Sequence, residues 1–187
     1  MTRSVHPILR PASLERLLQL GARAAVGLAA LAGAVGGTVG AASARPPAPA
    51  ASGARGAVPW VVDIEDLTTA NNHFRAAMWS GRQLQMTVMT IPPGGEVGME
   101  VHPEGDQFIR VEEGTARVVM GPTRIDLNYE KTVGDDWAIF IPAGAWHNIL
   151  NAGSTPLKMY VLYAPPEHGP GTLHRTAAEA AADHHHD

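Results

Sequence analysis

Four polar side chains have the types and the spacing to bind a metal ion together. Glu100 and His102 are two residues apart in a candidate strand, so their side chains leave the same face. After a four-residue turn the next strand opens with Gln107, whose amide oxygen would lie over the same spot if the two strands pair antiparallel. His147 follows a second turn and begins another strand. Two imidazoles and two oxygen donors suit Mn, Fe, Ni, Cu or Zn.

The composition excludes several other kinds of site. The chain has no Cys, so disulfides, thiolate nucleophiles, iron–sulfur clusters and zinc fingers are excluded. Its 187 residues carry 14 Lys+Arg against 18 Asp+Glu, a net charge of −4, which offers no basic surface for nucleic acid. By spacing alone, Glu100 and Gln107 could also lie on a solvated sheet face, with His102 and His147 as hydrogen-bonded polar residues.

The elements that must position these side chains are predicted to be β-strands. Short apolar runs alternate with turn residues at close spacing, which predicts one all-β sandwich or barrel. The predicted strands are 82–91, 97–102, 107–111, 115–120, 124–127, 138–141, 146–150 and 157–164. Helices are predicted only at 64–70 and at 176–182, where Thr176 and Glu179 form a capping box.

The first 44 residues are interpreted as a signal peptide. Residues 24–44 carry no charged side chain, four Arg and one acidic residue precede them, and the segment ends in the small-x-small pattern Ala42-Ser43-Ala44. The alternatives are an uncleaved membrane anchor, because the segment is long enough to cross a bilayer, and a cytoplasmic Ala-rich extension. In the first two cases the positive-inside rule places the domain outside the cytoplasmic membrane, periplasmic or secreted if the segment is cleaved.

The rest of the chain divides into three parts. Residues 45–59 are rich in Pro and Ala, lack large apolar side chains apart from Val58, and are predicted to be a linker. Residues 60–166 are assigned to the barrel. Residues 167–187 are assigned to a tail with a short helix and a His-rich end.

Some further polar residues are weighed as neighbours of the site. His168 and His174 are interpreted as part of an ordered surface strap, with folding back over the barrel mouth as the alternative. The His-rich end, 183–187, is expected to be solvated and not a formed metal site. Arg110 and Tyr163 are candidates for polar groups near the pocket, although Arg110 shares strand parity with the proposed ligands only imperfectly.

Two segments resemble the motifs of a known family. Residues 94–114, GGEVGMEVHPEGDQFIRVEEG, resemble the first cupin motif, in which Gly and a His-x-His precede a Glu and a second Gly at fixed spacing. Glu100-Val101-His102 occupies the His-x-His position. Residues 142–151, PAGAWHNILN, resemble the second motif, Pro-x-Gly-x-x-His-x-x-x-Asn, with His147 as its His. More closely, the chain is similar to small single-domain bacterial cupins of the mannose-6-phosphate isomerase-like type.

The resemblance implies a fold and a ligand set. Cupins are double-stranded β-helices, that is, jelly-roll barrels with a mouth for a ligand, here with short helical termini. The family implies one divalent transition metal, which here would be bound by Glu100, His102, Gln107 and His147. Three departures are present: Glu100 replaces the first ligand His, Gln107 replaces the ligand Glu, and Asp136 stands where the second motif's opening Gly is expected.

The function expected from these features is that of a metal-dependent small-molecule enzyme outside the cytoplasm, of isomerase or dioxygenase type. The alternative is a non-catalytic ligand-binding or sensing module, with or without metal, and a third interpretation is a degenerate cupin kept for dimer contacts. The expected partners are a small-molecule substrate or ligand and, from the resemblance, a second copy of the chain in a homodimer. Nucleic acid is not expected, and the membrane is expected only through the N-terminal segment if it is not cleaved.

Overall fold

Two antiparallel sheets form the barrel in the computed structural model, which describes residues 55–183. The larger sheet has six strands in the order β6-β3-β8-β2-β1-β9, and the smaller has three in the order β5-β4-β7. In chain order the elements are α1 Ile64–Ala70, β1 Arg75–Ser80, β2 Gln85–Ile91, β3 Asp106–Glu113, β4 Ala116–Gly121, β5 Tyr129–Val133, β6 Ala138–Ile141, β7 Trp146–Asn151, β8 Leu157–Ala164, β9 Leu173–His174 and α2 Ala177–Asp183. The expected all-β jelly roll with short terminal helices is confirmed.

An apolar core fills most of the space between the sheets. The alternation of β2 is typical: Met89 and Ile91 point inward and are at most 1% exposed, whereas Val88 points to the other face and packs against Leu67 of α1. Burial of each such side chain contributes about 1.5–3 kcal/mol. The sheets are therefore held as a rigid frame on which polar side chains can be placed.

One end of the large sheet carries a polar row. Gln107, Tyr163, Gln85 and Ser80 lie opposite one another on β3, β8, β2 and β1, and all four are buried. The Gln85 amide donates to Ser80 Oγ at 2.9 Å and to the carbonyl oxygen of His168 at 2.7 Å. This row holds the start of the C-terminal tail against the barrel.

The prediction of a regular strand at 97–102 is wrong. Gly98 has a φ of 108°, which interrupts an extended backbone, and only isolated bridges join this segment to β7, at Glu96–Leu150 and Glu100–His147. The antiparallel pairing with the strand that contains Gln107, on which the position of Gln107 over the site depended, is not formed, because β3 pairs with β6 and β8. The neighbour of Glu100 is therefore β7.

Other differences from the predicted elements concern edges and turns. The strand predicted at 124–127 is a turn, in which Thr123 Oγ1 accepts from the Asp126 amide at 3.0 Å. Strands β1, β5 and β9 were not predicted. Both predicted helices are present. At the second, the Glu179 amide donates to Thr176 Oγ1 at 3.2 Å, which confirms the Thr176 half of the capping box, whereas the Glu179 carboxylate accepts from the Arg175 amide at 2.6 Å.

The ends of the described region bear on the predicted division of the chain. The expected linker overlaps the described residues at 55–59, and there the Arg55 amide donates to the carbonyl oxygen of Met78 at 2.9 Å. Backbone pairing with the barrel thus begins before Trp60. The predicted signal peptide or anchor, 1–44, and the His run at 184–186 lie outside the described residues. Between residues 55 and 183, neither helix has the length and apolar character needed to cross a bilayer.

Candidate metal centre

Three of the four predicted ligands come together at one point. Glu100, His102 and His147 each offer one ligand atom, and these atoms all lie within 4.8 Å of one another. Glu100 Oε1 is 3.2 Å from His147 Nε2 and 3.4 Å from His102 Nε2. Both imidazoles are buried, whereas the Glu100 side chain is 20% exposed. The centre therefore has one side open.

Backbone pairing fixes the positions of these three residues. The amide of Glu100 donates to the carbonyl oxygen of His147 at 3.0 Å, and the amide of His147 donates to that of Glu100 at 3.0 Å. The carbonyl oxygen of His102 accepts from the amide of Gly144 at 2.9 Å, in the turn before β7. The irregular segment that carries Glu100 and His102 is thus attached to β7 on both sides of the site.

The acceptors behind the two rings determine which nitrogen faces Glu100. His147 Nδ1 lies 2.9 Å from the carbonyl oxygen of Ala145, and since this oxygen can only accept, Nδ1 carries a hydrogen. His102 Nδ1 lies 3.2 Å from Glu167 Oε1, which is also an acceptor. In neutral rings the Nε2 lone pairs then face the same carboxylate oxygen of Glu100. Three acceptors around one point require a proton or a cation between them, so a divalent metal fits this donor set.

The charges around Glu100 favour its ionised form. Burial alone would raise the pKa of Glu100, but its contacts with His102 and His147 and the charge of Arg75, whose Nη2 is 4.0 Å from Glu100 Oε2, hold that pKa well below its usual range. A permanently ionised carboxylate is the form that binds a metal ion.

In the metal-free protein the proton between Glu100 and the two imidazoles lies on His102. Burial alone would lower the pKa of His102, but Glu100 on one side and Glu167 on the other outweigh it and raise the pKa to about 9. This pKa lies above the value of 6.5 for an unperturbed His. A metal ion at Nε2 would take the place of that proton.

Gln107 is buried on β3 beside the Tyr163 hydroxyl. Its Oε1 has no hydrogen-bond partner among residues 55–183. Burial raises the pKa of the Tyr163 hydroxyl far above its usual range, so this group stays protonated, although the neighbouring Gln107 amide lowers it in part. The Tyr163 ring packs edge-on against the His102 ring with centroids 5.5 Å apart. Gln107 thus lies in the same polar part of the barrel, with a buried amide oxygen that is unpaired among the described residues.

Two functional neighbours were not found from the sequence. Glu167, from the tail, contacts His102 Nδ1, and Arg75, from β1, contacts Glu100. Neither lies in a motif, and both are brought in by long-range pairing. A carboxylate behind a ligating His fixes its ring orientation and raises its basicity, so Glu167 is a positioning residue for this centre.

The open side of the centre leads into a cavity of about 730 Å³. Its polar lining comes from Arg75, Glu100, His102, Arg124 and Glu167. The ring of Trp146 lies at the same cavity, with the guanidinium of Arg124 6.0 Å from its centroid. A small molecule could therefore reach Glu100 and His102 from outside, whereas His147 lies behind them and is not part of the lining.

Other candidates from the sequence lie elsewhere or have different roles. Arg110 is not near the centre: it forms ion pairs with Glu112 and Asp136, because it points away from the barrel interior on β3. Glu112, the partner of Arg110, is buried and lies at an irregularity in the pairing of β3 with β8. Tyr163, by contrast, does contact the site.

The two tail histidines belong to an ordered strap. His174 is buried in β9 and its Nε2 is 3.0 Å from Asp183 Oδ2. The ring of His168 packs edge-on against Tyr163 with centroids 5.1 Å apart. Directly before His168 the same segment carries Glu167, whose carboxylate contacts His102 at the centre. The segment is therefore both an ordered strap and a cover over this side of the barrel mouth.

A pH prediction follows from His102. Because its folded pKa of about 9 exceeds the value of 6.5 for an unfolded chain, its contribution to stability is complete below pH 6.5 and is lost as pH rises through 9. We expect the metal-free protein to lose on the order of 2 kcal/mol of unfolding free energy over this range. Denaturant titrations in the presence of a chelator measure it. A His102→Asn variant with the same pH slope would contradict the assignment.

Known proteins resemble a large part of this chain. Residues 87–163 match the cupin domain family. The chain is 49% identical over 124 residues to the uncharacterised protein YrkC of Bacillus subtilis (strain 168), covering 66% of this chain and 67% of that protein. It is 36% identical over 115 residues to the uncharacterised protein L612 of Acanthamoeba polyphaga mimivirus, covering 61% of this chain and 70% of that protein.

A solved structure shares the fold and much of the sequence. The crystal structure of BH2720 from Bacillus halodurans superimposes with a TM-score of 0.67 at 52% identity, covering 67% of this chain and 96% of that protein. The match thus extends over nearly all of that protein.

Proposed function

Since the chain belongs to the cupin family, we propose that it binds one divalent transition metal and acts with it on a small molecule, as an isomerase- or dioxygenase-type enzyme. Glu100, His102 and His147 would hold the ion, with Gln107 as the fourth ligand. The observation that supports this most is the convergence of two imidazole Nε2 atoms on Glu100 Oε1, with an acceptor behind each ring.

The residues around the centre would have separate roles in binding and orientation. The bound ion would supply a Lewis acid that polarises an oxygen atom of the substrate. Glu167 and the carbonyl oxygen of Ala145 orient the two imidazoles. Tyr163 stays neutral and offers a hydroxyl, whose oxygen has no hydrogen-bond partner within the described part of the chain. The cavity above them admits a ligand while its apolar walls limit water.

Elemental analysis of the full chain tests metal binding. We expect about one equivalent of metal after incubation with Mn, Fe, Ni, Cu or Zn followed by desalting. Absence of metal after all five incubations would overturn the proposal and favour a metal-free binding module.

The relaxation of solvent water by the Mn- or Cu-loaded protein distinguishes an enzyme from a sensing module. A water that exchanges on the ion indicates an open coordination position, which catalysis needs. We expect strong relaxation that a bound ligand reduces. A closed shell without exchangeable water would favour the non-catalytic module.

The finer subtype and the location are also proposals. The mannose-6-phosphate isomerase-like subtype is supported by the motif resemblance at residues 94–114 and 142–151. A position outside the cytoplasm, periplasmic or secreted, is supported by the charge pattern of residues 1–44. Cell fractionation with N-terminal sequencing of the recovered protein tests the location: a cytoplasmic protein that keeps residues 1–44 would contradict it.

A homodimer is proposed through an apolar patch at the end of the large sheet. Phe140 on the edge strand β6 is 71% exposed, and Trp137 and Tyr129 nearby are about half exposed, at 48% and 50%. Exposed aromatic patches of this kind mark protein interfaces.

Light scattering after size exclusion should give the mass of a dimer, and Phe140→Glu should give that of a monomer. The control Val61→Glu changes a residue that is 97% exposed outside the patch and should leave the dimer intact. A wild-type monomer at micromolar concentration would contradict the proposal.

A further inference from the structure

The strongest unexplained feature of the cavity is the guanidinium of Arg75. The residue is 1% exposed, lies in the cavity wall, and forms one ion pair among the described residues, the 4.0 Å contact of Nη2 with Glu100. Its Nε and Nη1 find no hydrogen-bond partner within residues 55–183. A buried cation with unmatched donors is unfavourable unless something else satisfies them.

Neighbouring carboxylates do not satisfy these donors. Glu100 directs Oε1 to the two imidazoles, and Glu167 directs its Oε1 to His102 Nδ1. The pairing of β1 with β2 and β9 positions Arg75 beside the proposed metal ligands. Both unpaired donors are buried beside the cavity in whose wall Arg75 lies, so a ligand next to the centre would reach them by a small turn of the guanidinium.

We infer that the ligand of this cavity is a small carboxylic acid with an apolar body, whose carboxylate binds Arg75. A guanidinium presents its N–H groups in a planar fork that matches a carboxylate. This inference rests on the proposed function, because the ligand is the substrate of the same centre.

The charge of the cavity favours a monoanion over a phosphate. Two carboxylates, Glu100 and Glu167, line the same space as Arg75. With the proposed divalent ion bound, the charges of these two carboxylates would offset that of the ion, so Arg75 would leave one positive charge at the centre, which a carboxylate matches and a dianionic phosphate exceeds. The second guanidinium, Arg124, is stacked at Trp146 and not at the centre.

The walls favour an apolar body over a sugar. Besides the five polar residues already named, the cavity is lined by apolar side chains, among them Phe74, Val97, Met99, Trp146, Ala177 and Ala180. A sugar would place some hydroxyls against these apolar side chains and away from the polar residues, which is unfavourable. An aromatic or aliphatic chain would be covered by them.

The first test uses the full wild-type chain and a matched pair of ligands. Phenylacetate and its amide have the same shape and differ in charge, and Trp146 provides a fluorescence signal at the cavity. We expect the Kd for the acid to be at least 10-fold lower than for the amide. Equal affinities, or tighter binding of mannose 6-phosphate or inorganic phosphate, would overturn the inference.

The second test removes the guanidinium. In Arg75→Gln the ratio of the Kd for the amide to the Kd for the acid should fall to about 1. Arg75→Lys should keep only part of the wild-type ratio, because Lys lacks the planar pair of N–H donors. The matched control is Arg117→Gln, whose side chain pairs with Glu130 on the small sheet. A preserved preference in folded Arg75→Gln would overturn the inference. If that variant does not fold, the acid–amide comparison in the wild type decides alone.

Metal content, measured in the same samples, separates the two proposals. Selectivity for the acid in a protein that takes up no metal would contradict the proposed function and support the carboxylate site. One equivalent of metal without selectivity for the acid would support the proposed function and contradict the carboxylate site.

Discussion

Replacement of His147 by Ala is expected to lower metal affinity by at least about 100-fold. The imidazole is 1% exposed, its Nδ1 is committed to the carbonyl oxygen of Ala145, and its Nε2 is 3.2 Å from Glu100 Oε1. Ala removes a nitrogen that no neighbouring group can replace. His102→Ala should have the same effect, because its Nε2 faces the same oxygen at 3.4 Å. Competition with a chelating dye, followed by elemental analysis, measures the loss.

Two controls show whether the loss is specific. His73→Ala removes a His that does not belong to the cluster, and deletion of residues 184–187 removes the terminal His run; neither should change the stoichiometry. Circular dichroism checks that the variants keep the sheets. Full metal content in both His102→Ala and His147→Ala would contradict the proposed ligand set.

The sequence could identify the ligands but not their surroundings. Glu100, His102 and His147 were predicted from residue type and motif spacing, and the structure brings their ligand atoms together. Arg75 and Glu167 could not be found in this way, because their positions depend on the pairing of β1 and on the path of the tail after β8. No local spacing encodes such contacts.

The elements with strong local signals were predicted closely. Helix Ile64–Ala70 has its predicted bounds because Asp63 caps it, with Oδ1 accepting from the Asp66 amide at 3.1 Å. Strand Leu157–Ala164 also has its predicted bounds, since buried residues alternate along most of it. The missed strand Tyr129–Val133 has four of five residues exposed, so its sequence lacks that alternation.

The third departure from the cupin motifs has a local explanation. Asp136 has a φ of 68°, the left-handed region in which Gly is favoured, so the backbone keeps the conformation that the motif's Gly would adopt. Asp tolerates this region better than most residues. Its carboxylate also pairs with Arg110, which offsets part of the strain. The substitution changes a turn on the surface and not the centre.

Gly114, the last glycine of the first motif, is expected to tolerate no side chain. Its φ is 95°, and an added Cβ would lie 2.8 Å from the carbonyl oxygen of Pro156 and 3.0 Å from the Cα of Leu157, which is fully buried. Backbone strain and overpacking each contribute, so Gly114→Ala should lower the unfolding free energy by about 3 kcal/mol. Thermal denaturation should show a Tm lower by roughly 10 °C.

Gly144→Ala separates strain from crowding in this prediction. Gly144 also has a positive φ, 79°, but an added Cβ there would meet no atom within 4 Å. Its replacement should therefore lower stability by about 1 kcal/mol, the strain alone. Equal losses in the two variants would mean that the chain at 156–157 moves to accommodate the new methyl group. A larger loss at Gly114 means that this motif glycine is required by the close approach of two backbone segments, independently of metal.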